Sequence, residues 1–137
     1  MKGLTNFVNE SIANEKEFIV IKPEFTHLKN EIIKFLLNNG ILVREELTRV
    51  LSREDARLLY SPHKDEPFYK DLVDYMCSGE SIGLNCTNFG GRNMKDIKDQ
   101  AREKWGKDEM KNCLHSSDSS SNVTRESRIY FRKKEEV

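Results

Sequence analysis

An α+β sandwich of the split βαβ kind, with helices laid over one sheet, is what this sequence predicts, and three observations predict it. Short β-branched or alternating apolar runs of strand length recur near residues 18–21, 41–50 and 82–86. Between them lie segments whose apolar residues keep a helical spacing. Turn residues, among them Pro23, Gly40, Pro62, Gly79 and Gly106, separate the two kinds of segment. The resulting order is strand, helix, strand, helices, strand, helix, strand.

Residues 1–16 have no firm period and read as a loose arm, with order beginning at Glu17. Phe18, Ile19, Val20 and Ile21 form a run suited to a strand buried on both faces, and Pro23 ends it because proline cannot donate to a ladder. Leu28, Ile32, Phe35 and Leu36 then make one stripe of an amphipathic helix, which Gly40 stops. A second strand follows over residues 41–50, carried by Ile41, Val43, Leu47 and Val50 in broken alternation. Ser52 opens a short helix as a cap, with Asp55 near the position of a capping box. Pro62 and Pro67 bracket a turn. Pro67 suits the first turn of a helix built on Phe68, Leu72, Val73, Tyr75 and Met76 and closed by Ser78 and Gly79. Ile82, Leu84 and Cys86 alternate with Gly83 and Asn85, as in a strand with one buried face. Asn93 caps a helix on Met94, Ile97, Ala101 and Trp105, which Gly106 ends. A short strand over 110–114, a serine-rich loop over 116–121, a last helix over 123–131 and a charged tail over 132–137 complete the chain.

A chain of 137 residues has room for one compact domain, read here as residues 17–131. Lys and Arg total 23, as do Asp and Glu, so no net charge draws the chain to nucleic acid or to an anionic membrane. Its apolar runs fall far short of the roughly 20 residues that span a bilayer, and residues 1–6 lack the apolar stretch of a secretion signal. A soluble cytoplasmic protein, with neither membrane nor nucleic acid as a partner, is the expectation. Cys77, Cys86 and Cys113 are too widely spaced for a zinc knuckle and odd in number, which suits reduced thiols.

The stretch richest in chemistry is Asn112-Cys113-Leu114-His115-Ser116-Ser117-Asp118-Ser119. Its pattern, N-x-x-H-x-S-D-S, resembles the active-site signature of the nucleoside diphosphate kinases. Ile21-Lys22-Pro23 resembles that family's IKP motif, and Glu31-Ile32-Ile33-Lys34 its first helix. Tyr60, Lys64-Asp65, Pro67-Phe68, Leu72-Val73, Tyr75-Met76 and Ser78-Gly79 are similar, in order and spacing, to its nucleotide-binding helical hairpin. The resemblance runs from about residue 17 to 131, and it implies a ferredoxin-like βαββαβ sandwich with an antiparallel four-stranded sheet covered by helices.

It also implies a reaction, the exchange of a γ-phosphate between a nucleoside triphosphate such as ATP and a nucleoside diphosphate by a ping-pong mechanism through a phosphohistidine. Imidazole suits the nucleophile because its ordinary pKa leaves it unprotonated near neutrality. The resemblance assigns that role to His115 and the orienting carboxylate to Glu126. Lys22 and Arg102, the latter 13 positions before His115 and followed by the aromatic Trp105, become the phosphate cations, with Arg92 a second phosphate arginine. Tyr60 becomes a phosphate donor, Asn112 a ribose ligand with Lys22, Phe68 a stacking surface for the base, and Leu72 its packing neighbour. Ser117 joins the nucleotide-binding set. Mg²⁺ bridges phosphate oxygens without a direct protein ligand, Asp118 reaching it through water. His27 and His63 have no such flanks and read as ordinary histidines. A homo-oligomer, at least a dimer, is implied as well.

Four departures stand against the family pattern: Ser116 where glycine is usual, Glu24 for aspartate, a shortened stretch between Gly79 and Arg102 without a threonine for the phosphates, and an early end after Phe131. Ser116 is expected to crowd the phosphoryl group or to resist the backbone angle a glycine would take. These departures leave open a second class of function, a kinase-like protein that holds a nucleotide or a partner without turnover.

Overall fold

The computed structural model describes residues 15–131, so the expected tail over 132–137 and, of the expected arm over 1–16, residues 1–14 lie outside the described residues. Strand β1 (Glu15–Ile21) starts two residues ahead of the expected Glu17, because Glu15 and Lys16 still pair with Asn88 and Thr87. It is followed by α1 (Lys29–Asn38), β2 (Ile41–Arg49), α2 (Arg53–Leu59), α3 (Tyr69–Met76), β3 (Ser81–Asn88), α4 (Met94–Trp105), β4 (Leu114–Ser116) and α5 (Ser120–Phe131). The four strands form one antiparallel sheet in the order β2-β3-β1-β4. This is the α+β architecture that the alternation of strand and helix patterns predicts, and its closest shape is the ferredoxin-like sandwich.

Both faces of the sheet are covered, which is why β1 is apolar at every position from Phe18 to Ile21. Phe18, Ile19, Val20 and Ile21 are all fully buried. Ile19 and Ile21 pack with Ile32 and Leu36 of α1 and with Ile97 and Ala101 of α4. Phe18 and Val20 face the other way, toward Ala56 and Leu59 of α2, Val73 and Met76 of α3, and Tyr130 of α5. Each such side chain contributes about 1.5–3 kcal/mol from burial. Cores on both faces hold β1 in place, so the residue after it, Lys22, has a fixed position.

Four elements differ from the sequence expectation, each for a local reason. The broken alternation of β2 is a bulge, a register shift against β3 between Val43 and Glu45. Strand β3 is covered on both faces, not one. Gly83 allows this, since a Cβ there would stand 2.6 Å from Tyr130 Cγ. The expected strand over 110–114 is a tight turn. Asp108 Oδ1 accepts from the backbone N–H groups of Met110 and Lys111 at 2.8 and 2.6 Å, and Cys113 adopts φ 71°, so β4 begins only at Leu114. The serine run is not a loose loop but a helix start, with Ser119 Oγ accepting from Asn122 N at 3.2 Å and α5 beginning at Ser120.

The caps at Ser52 and Asn93 form as expected: Ser52 accepts from Asp55 N and Asn93 from Lys95 N. Pro67 precedes α3 rather than entering it. No helix among the described residues is long and apolar enough to cross a membrane.

Candidate active site

Strand pairing brings the two chemical motifs together. Val20 of β1 lies opposite His115 of β4, and directly paired residues project to the same face, so His115 emerges on the side covered by α2, α3 and α5. Two residues later the chain leaves β1 at Lys22, whose backbone N–H donates to the Cys113 carbonyl at 2.9 Å. The left-handed Cys113 turns the chain sharply between Asn112 and Leu114, which sends Leu114 into the core and leaves His115 on the cleft side.

His115 is held tightly. Its Nε2 lies 2.5 Å from Glu126 Oε1 on α5; a carboxylate can only accept, so Nε2 carries the proton. Nδ1 makes no hydrogen bond among the described residues. Glu126 is 3% exposed, yet its oxygens also accept from Ser117 Oγ at 2.7 Å and from an Arg125 guanidinium N–H at 3.0 Å. A buried carboxylate held by three donors fixes ring orientation and tautomer. The Tyr60 ring stands edge-on to the imidazole, centroids 5.1 Å apart at 72°. Burial pulls the His115 pKa below 6.5, and Glu126 draws it upward less strongly. The ring is therefore neutral at pH 7, with one nitrogen tied and the other available.

Beside it opens a cleft of about 550 Å³. His115, Glu126, Lys22, Tyr60, Phe68, Leu72, Arg102 and Asn112 all line it, as does Asp118. Lys22 is 3% exposed and donates through Nζ to the Met110 carbonyl at 3.1 Å; burial, with Arg102 next in effect, lowers its pKa to about 7. Arg102, from the last turn of α4, donates through Nε and a terminal nitrogen to the Leu114 carbonyl at 3.1 and 2.9 Å. Two buried polar atoms of the cleft residues have no partner, the Tyr60 hydroxyl and Asn112 Oδ1. Burial raises the Tyr60 pKa, so that hydroxyl is a donor and not an anion. Orphaned polar atoms in a cleft wall are satisfied by what enters the cleft. Phe68 is 43% exposed at the rim, its ring 5.8 Å from that of His63.

Two expected residues are placed elsewhere. Arg92 hydrogen-bonds Asn39 Oδ1 and lines a separate cleft of about 1110 Å³. Ser117 faces that second cleft too, with its hydroxyl on Glu126. Ser116 does not take the strained angle expected of it. It lies in β4 opposite Ile19, outside the positive-φ residues of the described chain.

The cleft also contains residues that motif matching passed over, namely Pro62, His63, Lys98, Glu109, Met110 and Asn122. Lys98 had a readable signal, since it lies one helical turn before Arg102, beside the core stripe Ile97 and Ala101. His63, read as ordinary, lines the cleft because the Ser61–His63 turn follows Tyr60 directly. Glu109 and Met110 arrive only through the tight turn before Asn112. Among the described residues no three His, Cys, Asp or Glu side chains gather as metal ligands. A carboxylate at Asp118, pinned by an N–H of Asn122 at 2.7 Å, suits a cation carried in on phosphates better than one held by the protein.

A neutral imidazole nitrogen, a carboxylate behind it and cations ahead of it can accept and release an electrophilic group that bears negative charge. Comparison with known proteins agrees with that chemistry. Residues 15–136 match the family model described as nucleoside diphosphate kinase. The chain is 32% identical over 136 residues to the nucleoside diphosphate kinase of Ignicoccus hospitalis, covering 90% of this chain and 92% of that one. It is 31% identical over 130 residues to that of Fervidobacterium nodosum, covering 85% and 88%. Its fold is similar to the crystal structure of the Aquifex aeolicus nucleoside diphosphate kinase, with a TM-score of 0.73 at 22% identity over 85% of this chain and 94% of that one.

Proposed function

This chain belongs to the nucleoside diphosphate kinase family, and from that premise we propose that it moves the γ-phosphate of a nucleoside triphosphate to a nucleoside diphosphate through phospho-His115. The observation that carries the proposal is the asymmetry of the His115 ring, with Nε2 bound to Glu126 and Nδ1 unbound beside a cleft of cations and orphaned polar atoms.

The Nδ1 lone pair forms the bond to the γ-phosphorus while the bond from phosphorus to the β,γ-bridging oxygen breaks, and the nucleoside diphosphate leaves with that oxygen. The positive charge gained by the ring is met by Glu126, which keeps its hydrogen bond to the Nε2 proton throughout. A second nucleoside diphosphate enters, its terminal phosphate oxygen attacks the same phosphorus, and the N–P bond breaks to restore neutral His115. Lys22 and Arg102 face the phosphates, and the Tyr60 hydroxyl supplies a further donor. Asn112 Oδ1 accepts from a ribose hydroxyl. Phe68 stacks on the base with Leu72 beneath it, and because every base has a π-face the selectivity among bases is low. Mg²⁺ on the nucleotide offsets phosphate charge, and Asp118 is the carboxylate placed to reach its water shell. In this reading Ser117 acts through its hydrogen bond to Glu126, and Arg92, held by Asn39, is given no phosphate contact. Assembly into at least a dimer and a cytoplasmic location belong to the same reading.

The rival class, nucleotide holding without turnover, drew on Ser116 and on the shortened stretch between Gly79 and Arg102; the relaxed backbone of Ser116 in β4 answers only the strain expected of that residue. The test is incubation with γ-labelled ATP and Mg²⁺, removal of free nucleotide, and addition of a different nucleoside diphosphate. Label is expected on the protein and then on the added acceptor, with parallel double-reciprocal plots. Binding of ATP with no label on the wild-type protein would overturn the kinase reading.

A further inference from the structure

Helix α4 carries a local conflict. Its cations are otherwise settled: Lys95 pairs with Asp99 at 2.8 Å, Lys104 lies 5.0 Å from the Trp105 ring centroid, and Arg102 donates to the Leu114 carbonyl. Lys98 is the exception. It is half-buried, lines the active cleft, and makes no ion pair or hydrogen bond among the described residues. The residue four positions on, where a helix would gain from a carboxylate, is Arg102, a like charge on the same face. Burial and Arg102 both lower the Lys98 pKa, and burial with Lys98 among its neighbours lowers that of Lys22. The carboxylates that act on Lys98 are engaged elsewhere: Asp99 pairs with Lys95 and Asp118 accepts from Asn122, and neither bonds Lys98. A half-buried cation with no bonded partner among the described residues, set one turn from a like charge, points to a partner from outside.

The position of Lys98 indicates what that partner is. Helix α4, which carries Lys98, packs on β4, which carries His115, and Lys98 lines the active cleft together with Lys22, Arg102 and His115, while it and Asp118 also border the second cleft. We propose that Lys98 is a third phosphate-binding cation, one that engages the outermost phosphate of a nucleoside triphosphate, the group that His115 receives. This rests on the kinase reading above and extends it: the ligand at Lys98 is the γ-phosphate, and Lys98 sets the preference for triphosphate over shorter nucleotides. A single cation directed at one phosphate gains a charge-assisted hydrogen bond only when that phosphate is present.

The experiment compares AMP, ADP and ATP binding by calorimetry to the wild-type protein, Lys98→Met and Lys98→Arg, at two salt concentrations. Wild type is expected to tighten from AMP to ADP to ATP. Lys98→Met is expected to lose roughly tenfold in ATP affinity, to bind AMP as wild type does, and to show a shallower salt dependence for ATP. Lys98→Arg is expected to recover most of the step from ADP to ATP. A loss shared equally by AMP, ADP and ATP would mark Lys98 as structural and overturn the proposal, as would no loss. Labelling of His115 by γ-labelled ATP in the same wild-type sample separates the two claims. Labelled protein with a Lys98-independent ATP affinity overturns the role of Lys98 alone. Wild-type protein that neither binds ATP nor takes label overturns the kinase reading and this inference with it.

Discussion

The two ends of the active cleft are built on opposite terms. Behind the His115 ring the polar groups are matched within the protein: Glu126 takes hydrogen bonds from His115, Ser117 and Arg125, and the imidazole is fixed before any substrate arrives. At the phosphate end little is matched. Lys22 and Arg102 reach only backbone carbonyls, and Tyr60 and Asn112 keep unpartnered buried atoms. Groups that must not move during the chemistry are locked by the fold, and groups that must exchange one ligand for another are left to be satisfied by it. The difference predicts that substitutions at the first end act on the rate, and those at the second on affinity and proton balance.

The largest effect is expected from His115→Asn, which removes the accepting nitrogen. Phosphoryl transfer should fall by more than about 10³-fold with nucleotide affinity retained, read by label transfer and by calorimetry. Glu126→Gln keeps a hydrogen-bond acceptor but removes the charge behind the ring, and should lower the transfer rate roughly 10- to 100-fold with little change in KM. The sign of its pH effect follows from the groups involved. The active ring is unprotonated, so activity falls as pH falls through the His115 pKa, which burial already holds below 6.5. Glu126 draws that pKa upward, so its removal should shift the acid limb of the pH–rate profile to still lower pH.

The opposite end breaks differently. Tyr60→Phe deletes a buried hydroxyl that has no partner among the described residues, so thermal unfolding should show unchanged stability or a gain of up to about 1 kcal/mol, while nucleotide affinity falls about tenfold. A fall in both would place the Tyr60 hydroxyl among the structural groups. The smallest effect concerns protons. Lys22, at a pKa of about 7, is largely neutral at alkaline pH, and bound phosphates restore its charge. Nucleotide binding should therefore take up close to one proton at about pH 8.5 and almost none at about pH 5.5. Calorimetry in buffers of different ionisation enthalpy reads this directly, and Lys22→Met should abolish the difference.

The same contrast governs what could be read in the sequence. The strands and helices that carry the cores were legible because burial leaves a pattern, a continuous apolar run where both faces are covered at Phe18 to Ile21 and a helical period along Met94, Ile97 and Ala101. His115, Glu126, Lys22, Tyr60, Phe68, Leu72, Arg102 and Asn112 were legible through motif likeness, and the fold gathers all of them on one cleft. What stayed hidden depends on single-residue backbone geometry or on pairing across the chain. The left-handed Cys113 and the Asp108 turn shift β4 by several residues, and no period announces either. Arg92 looked suitable by residue type, but the Gly90-Gly91 corner directs it to Asn39. Lys98 was masked by its setting, an ordinary charge on an amphipathic helix until β4 is seen to run beneath it.

The most direct test of the arrangement at His115 is the position of the phosphate on its ring. After reaction with ATP and rapid removal of nucleotide, phosphorus NMR of the protein distinguishes the two ring nitrogens, with His115→Asn as the control. With Nε2 held by Glu126, the phosphate should be on Nδ1, labile to acid, and lost when a nucleoside diphosphate is added. Phosphate on Nε2, or a signal that persists in His115→Asn, would contradict it.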